Sequence, residues 1–160
     1  MINICTAPDD YRPRNLPAFS GIEDEHEEYR DLLSEFECVT RGLIEDLAAA
    51  LEAHDTVGVV FADYWLQSLR RLGDALLRLP SLIVCSAAPA GYEKVADLYH
   101  DWAGFGEQLG LQVMIYAESK TRGGEPSLSA VYQALSAVDA HNSARAIYLK
   151  GLPHLVVEEC

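Results

Sequence analysis

Residues 57–88 read VGVVFADYWLQSLRRLGDALLRLPSLIVCSAA, and the fold class turns on this stretch. Val57–Ala62 is a short run rich in β-branched residues, the composition of a buried strand. Leu66, Leu69, Leu72, Leu76 and Leu79 then recur at helical spacing, with Arg70, Arg71, Asp74 and Arg78 left for solvent. Asp63 stands where a helix cap belongs, and Pro80 is placed to end the helix. Ser81–Ala88 is apolar again. The stretch therefore reads as strand, helix, strand.

Working outward toward the C-terminus, the alternation continues. Pro89 and Gly91 precede a helical stripe of Tyr92, Val95, Tyr99 and Trp102. Gly110 has the position of a helix stop, and Leu111–Ala117 reads as a third strand. KTRGGEP (120–126) is a loop. Leu128, Val131, Leu135 and Val138 define a helix ending near His141. Arg145–Leu149 and Leu155–Glu158, separated by too few residues for a crossover, read as an antiparallel hairpin. These elements predict a single α/β domain over residues 23–160, with a mixed, mostly parallel sheet flanked by helices and a C-terminal β-hairpin.

Toward the N-terminus, Tyr29, Leu32, Leu33, Phe36, Val39, Leu43, Leu47 and Leu51 share one face of a long helix from Glu23 to about His54. Glu27, Asp31, Ser34, Cys38, Arg41, Glu45 and Glu52 are assigned to its opposite, polar face. Glu23, Asp24, Glu25, Glu27 and Glu28 crowd the first turns, where the helix dipole favours carboxylates. Residues 1–22 hold three prolines and read as an extended arm with a short strand at Ile2–Cys5.

The chain has 160 residues, 49% hydrophobic and 23% charged, enough for one domain with its own core. No apolar run spans a bilayer, and the N-terminus lacks a secretory pattern, so a cytoplasmic protein is expected. The formal net charge is −13, and residues 1–56 hold 14 Asp/Glu against 4 Arg. Such a body repels nucleic acids and anionic membranes and attracts basic surfaces. Cys5, Cys38, Cys85 and Cys160 form no close pair, so neither structural zinc nor a disulfide framework is expected.

No constellation specifies a chemistry, and no cofactor or metal is expected. The chain holds no nucleotide-binding glycine motif and no serine-nucleophile elbow. Glu23-x-x-His26 and Asp97-x-x-His100 have di-iron spacing, but the predicted strands argue against the required all-helical core. Two functional readings follow. In the first, the protein is a non-catalytic acidic binding protein of inhibitor, immunity-protein, antitoxin or adaptor type. It docks a basic protein through Glu27, Asp31, Glu35 and Glu45. In the alternative, a small α/β enzyme or ligand sensor uses Asp63, Tyr64, Ser86, Glu118, Lys120 and Arg122 at the strand ends. A homodimer paired through the long helix is a third reading.

Overall fold

The computed structural model describes residues 22–83 and 88–152, and every regular element in them is helical. The chain is a bundle, not an α/β domain. Its helices are α1 (Ile22–Glu52), α2 (Ala62–Leu77), the one-turn α3 (Leu79–Leu82), α4 (Glu93–Thr121) and α5 (Ser129–Lys150). Two 3₁₀ turns, Ala53–Thr56 and Val59–Phe61, join α1 to α2. The expected arm over 1–22 and strand over Ile2–Cys5, except for Ile22 itself, lie outside the described residues, as does Leu155–Glu158.

Ring contacts fix the directions. Tyr29 meets Tyr92, Phe36 meets Tyr99 and Trp102, and His54 meets Tyr116, so α1 and α4 run parallel. The side chains of Leu79 and Arg70 lie against Gly106 and Glu118 respectively, so the α2 segment runs against α4. Arg145 lies over Tyr99 and Trp102 while Phe105 meets His141, so α5 also opposes α4. The result is an up-down-up-down arrangement of four long helices.

Each misread strand has a physical reason. Leu111–Ala117 is the interior of α4, a single helix of 29 residues. Leu109, Val113, Tyr116 and Ala117 are buried while Leu111 and Ile115 are exposed, a helical period rather than a strand's alternation. Gly110 does not stop α4, and its φ is not positive. It is a contact point: a Cβ there would lie 2.6 Å from the Gly73 carbonyl oxygen and 2.9 Å from the Leu77 nitrogen. A Cβ at Gly73 would in turn meet Met114 at 2.9 Å. The two glycines let the α2 and α4 backbones approach closely, and α2 packs most extensively against α4.

Arg145–Leu149 continues α5 to Lys150, so the predicted hairpin loses its first strand. The helix does not end near His141, and the Asn142 side chain bonds to Arg145 one turn on. Ser81 and Leu82 belong to α3, with Pro80 near the start of that turn, where its missing N–H is harmless. The rest of the predicted second strand includes residues 84–87, outside the described region. Val57–Ala62 thus has no strand to pair with among the described residues. Val57 and Gly58 are extended, and Val59–Phe61 turns as a 3₁₀ segment.

The long N-terminal helix forms as the pattern requires. Tyr29, Leu32, Leu33, Phe36, Leu43, Leu47 and Leu51 are all buried, and Val39 packs at the edge of the core. Tyr92, Val95, Tyr99 and Trp102 form the inner stripe of α4 as expected. Trp65 is buried as well, and its indole N–H donates to the Ala50 carbonyl at 2.8 Å, tying the start of α2 to the end of α1.

Candidate functional site

The core is not uniformly apolar. Glu37 of α1 and Arg145 of α5 are 4% and 1% exposed, and they meet across the bundle. Arg145 donates from Nε and Nη2 to Glu37 Oε1 at 3.3 and 3.2 Å. The Tyr99 hydroxyl donates to the same oxygen at 2.5 Å. Asn142 Oδ1 accepts from Arg145 Nη2 at 2.6 Å, and Arg41 lies 3.7 Å from Glu37 Oε2. The guanidinium carbon sits 3.2 Å from the centre of the Trp102 ring, a cation–π contact in a desolvated site.

This environment moves protons in definite directions. Burial, then the Glu37 carboxylate, holds the Tyr99 phenol well above its usual range. Burial lowers the affinity of Arg145 for its proton, against the opposing pull of Tyr99 and Glu37. Burial and the Arg145 charge lower His141 below the ordinary histidine value, against a smaller opposing effect of Asp101. Beside the network, α1 and α5 leave a cleft of about 320 Å³ lined by Arg41, Ile44, Glu45, Trp102, Val138, Asp139 and Asn142. Its polar groups carry both signs. The network itself reads as a core device that fixes how α1, α4 and α5 meet.

A second polar cluster closes the other end. His54 Nε2 and the Tyr116 hydroxyl are 3.0 Å apart, and His54 Nδ1 is 3.1 Å from Asp55 Oδ1. Trp65 packs on His54 with ring centroids 5.1 Å apart. Burial, with a smaller effect of Tyr132, raises the Tyr116 phenol above its normal range. A phenol held neutral at this position is a structural hydrogen-bonding group, not an activated nucleophile.

The alternative site rested on strand ends, and that premise falls with the strands. Asp63 lies in the first turn of α2 and Tyr64 beside it, both exposed. Asp63 is not the cap: Phe61 holds that position and makes no side-chain cap bond. Ser86 lies outside the described residues. Glu118, Lys120 and Arg122 gather at the C-terminal end of α4, where Glu118 pairs with Arg70 at 3.7 Å and with Arg122 at 3.4 Å. Glu118 and Arg122 also line a shallow cavity of about 560 Å³ with Met114, Ile115, Ser119 and Gly124. These are surface ion pairs at a helix end, of the kind worth little individually.

The objection to a di-iron centre also loses its original ground, since the core is helical. The side chains of Glu23 and His26 lie outside those described. Asp97 and His100 are exposed on α4, and among the described residues no group of three or more His, Cys, Asp or Glu is placed to hold a metal ion. Cys38 is disulfide-bonded, contrary to the expectation from cysteine spacing, and its partner lies outside the described residues. No helix among the described residues is long and apolar enough to cross a membrane.

The surface is more informative than the interior. Of the predicted docking residues, Glu27 and Glu45 are exposed, whereas Asp31 and Glu35 are half-buried. From Gly42 through Leu69 the chain carries five carboxylates (Glu45, Asp46, Glu52, Asp55, Asp63) and neither Lys nor Arg. Glu45, Glu52, Asp55 and Asp63 are exposed. At the end of this run Val59, Val60, Phe61 and Tyr64 are 95%, 87%, 66% and 57% exposed. The pattern reading missed this feature because it assigned the same valines to a buried strand. It also missed Glu37 and Arg145, although Val131, Val138 and Arg145 are spaced at seven residues and are the buried residues of α5. That heptad marks Arg145 as a core position.

Comparison of the chain with protein-family models, with curated proteins and with solved structures gives no match.

Proposed function

We propose that this protein is an acidic helical binding module that docks a basic protein partner and carries out no chemistry of its own. The observation that carries this reading is the one-signed stretch from Gly42 to Leu69, five carboxylates with no Lys or Arg among them, four of the five exposed. It begins in the exposed ridge of α1 and passes over the turn into α2. A field of one sign steers a partner of the opposite sign and raises the association rate. The residues assigned to contact are Glu27 and Glu45 on the exposed ridge, with Asp31 and Glu35 at its half-buried margin. The polar clusters of the interior are accounted for as packing: the Glu37–Arg145 pair fixes helix positions, and the His54–Tyr116 bond closes one end of the bundle.

The test compares the wild-type chain with a Glu27→Gln/Glu45→Gln/Glu52→Gln variant as baits at low salt. A basic protein retained by the wild type and released by the variant supports the reading. Its purified complex then weakens steeply with added salt. Identical recovery by the two baits, or binding that ignores salt, contradicts it.

A further inference from the structure

We infer that the α1–α2 turn is the anchor of the docking face: Val59, Val60, Phe61 and Tyr64 enter an apolar pocket on the partner whose rim carries Lys or Arg. The inference rests on the basic-partner reading and adds where the contact is centred and what the partner must offer. Val59, Val60 and Phe61 are 95%, 87% and 66% exposed and adjoin one another with Tyr64, whereas the other exposed large apolar residues, such as Ile115 and Ile147, stand apart along α4 and α5. Exposed apolar surface rimmed by polar groups marks an interaction site. Here the segment that carries the apolar residues is itself of one sign. Residues 52–64 hold Glu52, Asp55 and Asp63 and no Lys or Arg, and all three carboxylates are exposed. An apolar centre inside a charged rim is the usual anatomy of a specific interface, in which buried aromatic and aliphatic anchors carry most of the affinity.

The turn is also held rigidly enough to serve as an anchor. Thr56 Oγ1 donates to the Ala53 carbonyl at 2.9 Å and the Phe61 N–H to the Gly58 carbonyl at 3.0 Å. On either side, His54 is fixed to Tyr116 and Trp65 to Ala50. The side chains are therefore presented by a turn clamped at both ends.

Other occupants fit less well. A second copy would bring together two bodies of charge −13 with the same acidic rim. The structure's ends, Ile22 and the region following Lys150, lie at the opposite end of the bundle, where Tyr29 meets Tyr92. From Tyr29 to its end at Glu52, α1 alone covers about 34 Å. Residues 153–160, even fully extended, span less than about 29 Å. Residues 1–21 are long enough to reach but are electrically neutral, with Asp9 and Asp10 against Arg12 and Arg14, and offer nothing complementary to the acidic rim. Their covering the turn is one outcome of the test below.

The experiment uses the full chain and two fluorescent peptides of equal length and charge, one an amphipathic Lys–Leu helix and the other built of Lys and Gly. Anisotropy titrations at low salt are run on the wild type, on Val60→Ser/Phe61→Ser, and on Glu52→Gln/Asp55→Asn/Asp63→Asn. The wild type is expected to bind the Lys–Leu peptide at least about tenfold more tightly than the Lys–Gly peptide, the scale of burying one or two apolar side chains. In Val60→Ser/Phe61→Ser that preference falls to about twofold or less, Lys–Gly affinity stays the same, and an unchanged melting temperature shows the fold intact. The carboxamide variant weakens both peptides. Equal affinity of the two peptides for the wild type overturns the anchor while leaving the basic-partner reading standing, and is also the result if residues 1–21 cover the turn. A preference that survives Val60→Ser/Phe61→Ser overturns it too. Neither peptide binding at low salt overturns both. Binding to phosphatidylcholine vesicles that is lost in Val60→Ser/Phe61→Ser would replace the protein partner with a membrane.

Discussion

Replacing Gly110 by Ala should destabilise the protein, while the same replacement at Gly104, six residues earlier in α4, should stabilise it. In an unobstructed helix interior, Gly→Ala gains about 0.5–1 kcal/mol from reduced freedom of the unfolded chain and better helix propensity. Gly104 meets that condition, since a Cβ there has nothing within 4 Å. Gly110 does not: its Cβ would come within 2.6 Å of the Gly73 carbonyl oxygen, 2.9 Å of the Leu77 nitrogen and 2.9 Å of Leu76 Cβ. Two of these three atoms are backbone, so no rotamer change relieves the overlap and α2 must move as a body. Overpacking of this kind costs about 1–3 kcal/mol, and opening the α2–α4 seam forfeits further dispersion contacts. Against the propensity gain, the net loss is about 1–2 kcal/mol. Thermal melts should show roughly a 1–4 °C rise for Gly104→Ala and about a 2–8 °C fall for Gly110→Ala, with urea midpoints in the same order. Gly110→Asn sharpens the comparison. A glycine at a helix stop is replaced more readily by Asn than by Ala, because Asn tolerates a left-handed backbone. A glycine at a helix crossing is replaced less readily by Asn, which is larger. Asn milder than Ala, or Gly110→Ala as benign as Gly104→Ala, would refute the crossing.

Four further outcomes follow from the interior. Arg145→Met leaves the Glu37 carboxylate buried with only Tyr99 and the more distant Arg41, so urea unfolding should show a loss of about 3 kcal/mol, the low end for a broken buried pair. Adding Glu37→Gln should restore most of that loss, and an additive double variant would show that the two side chains do not act together. Stability should fall as pH rises above about 10, because the unfolded Tyr99 phenol ionises there while burial and Glu37 hold the folded one neutral; Tyr99→Phe should flatten that limb in alkaline melts. Stability should also decline as pH falls below about 6.5, where an unfolded histidine takes up a proton that folded His141 resists, and His141→Gln should reduce the slope of the melting temperature against pH. Tyr116→Phe should cost about 1 kcal/mol by removing the partner of His54, whereas Asp55→Asn should leave the melting temperature unchanged because that carboxylate is 96% exposed.

Helical periodicity made α1 legible because its apolar residues keep one face through the whole element. The inner stripe at the start of α4 was legible for the same reason. The remainder was lost to a single ambiguity. Glycine is both a helix terminator and the residue that lets two helices touch, and at Gly110 the second role holds. Once Gly110 is taken as a stop, Leu111–Ala117 becomes a strand by default, and Val57–Ala62 gains a partner it does not have. Short apolar runs are the segments where helix and strand patterns differ least. Tertiary contact decided between them, through the Gly73–Gly110 crossing.

The candidate site divides in the same way. The acidic surface was legible because charge is a property of composition. The buried Glu37–Arg145 pair was not, because Arg145 lay in a predicted strand and Glu37 adjoins a polar face. The strand-end site had no existence apart from the strands. Val59–Phe61 carried the largest error and the most useful correction: of the residues assigned to the centre of a sheet, Val59 and Val60 are the most exposed large apolar residues of the described chain.

Amide hydrogen exchange over Val57–Ala62 tests the fold and the docking face together. An exposed turn between two helices should lose its protons with little protection, while Leu43–Leu51 of α1 and Leu69–Leu76 of α2 exchange slowly on either side. Slow exchange at Val59 and Val60, matching those flanking helices, would mean that the segment is buried in a sheet and that it presents no apolar anchor to a partner.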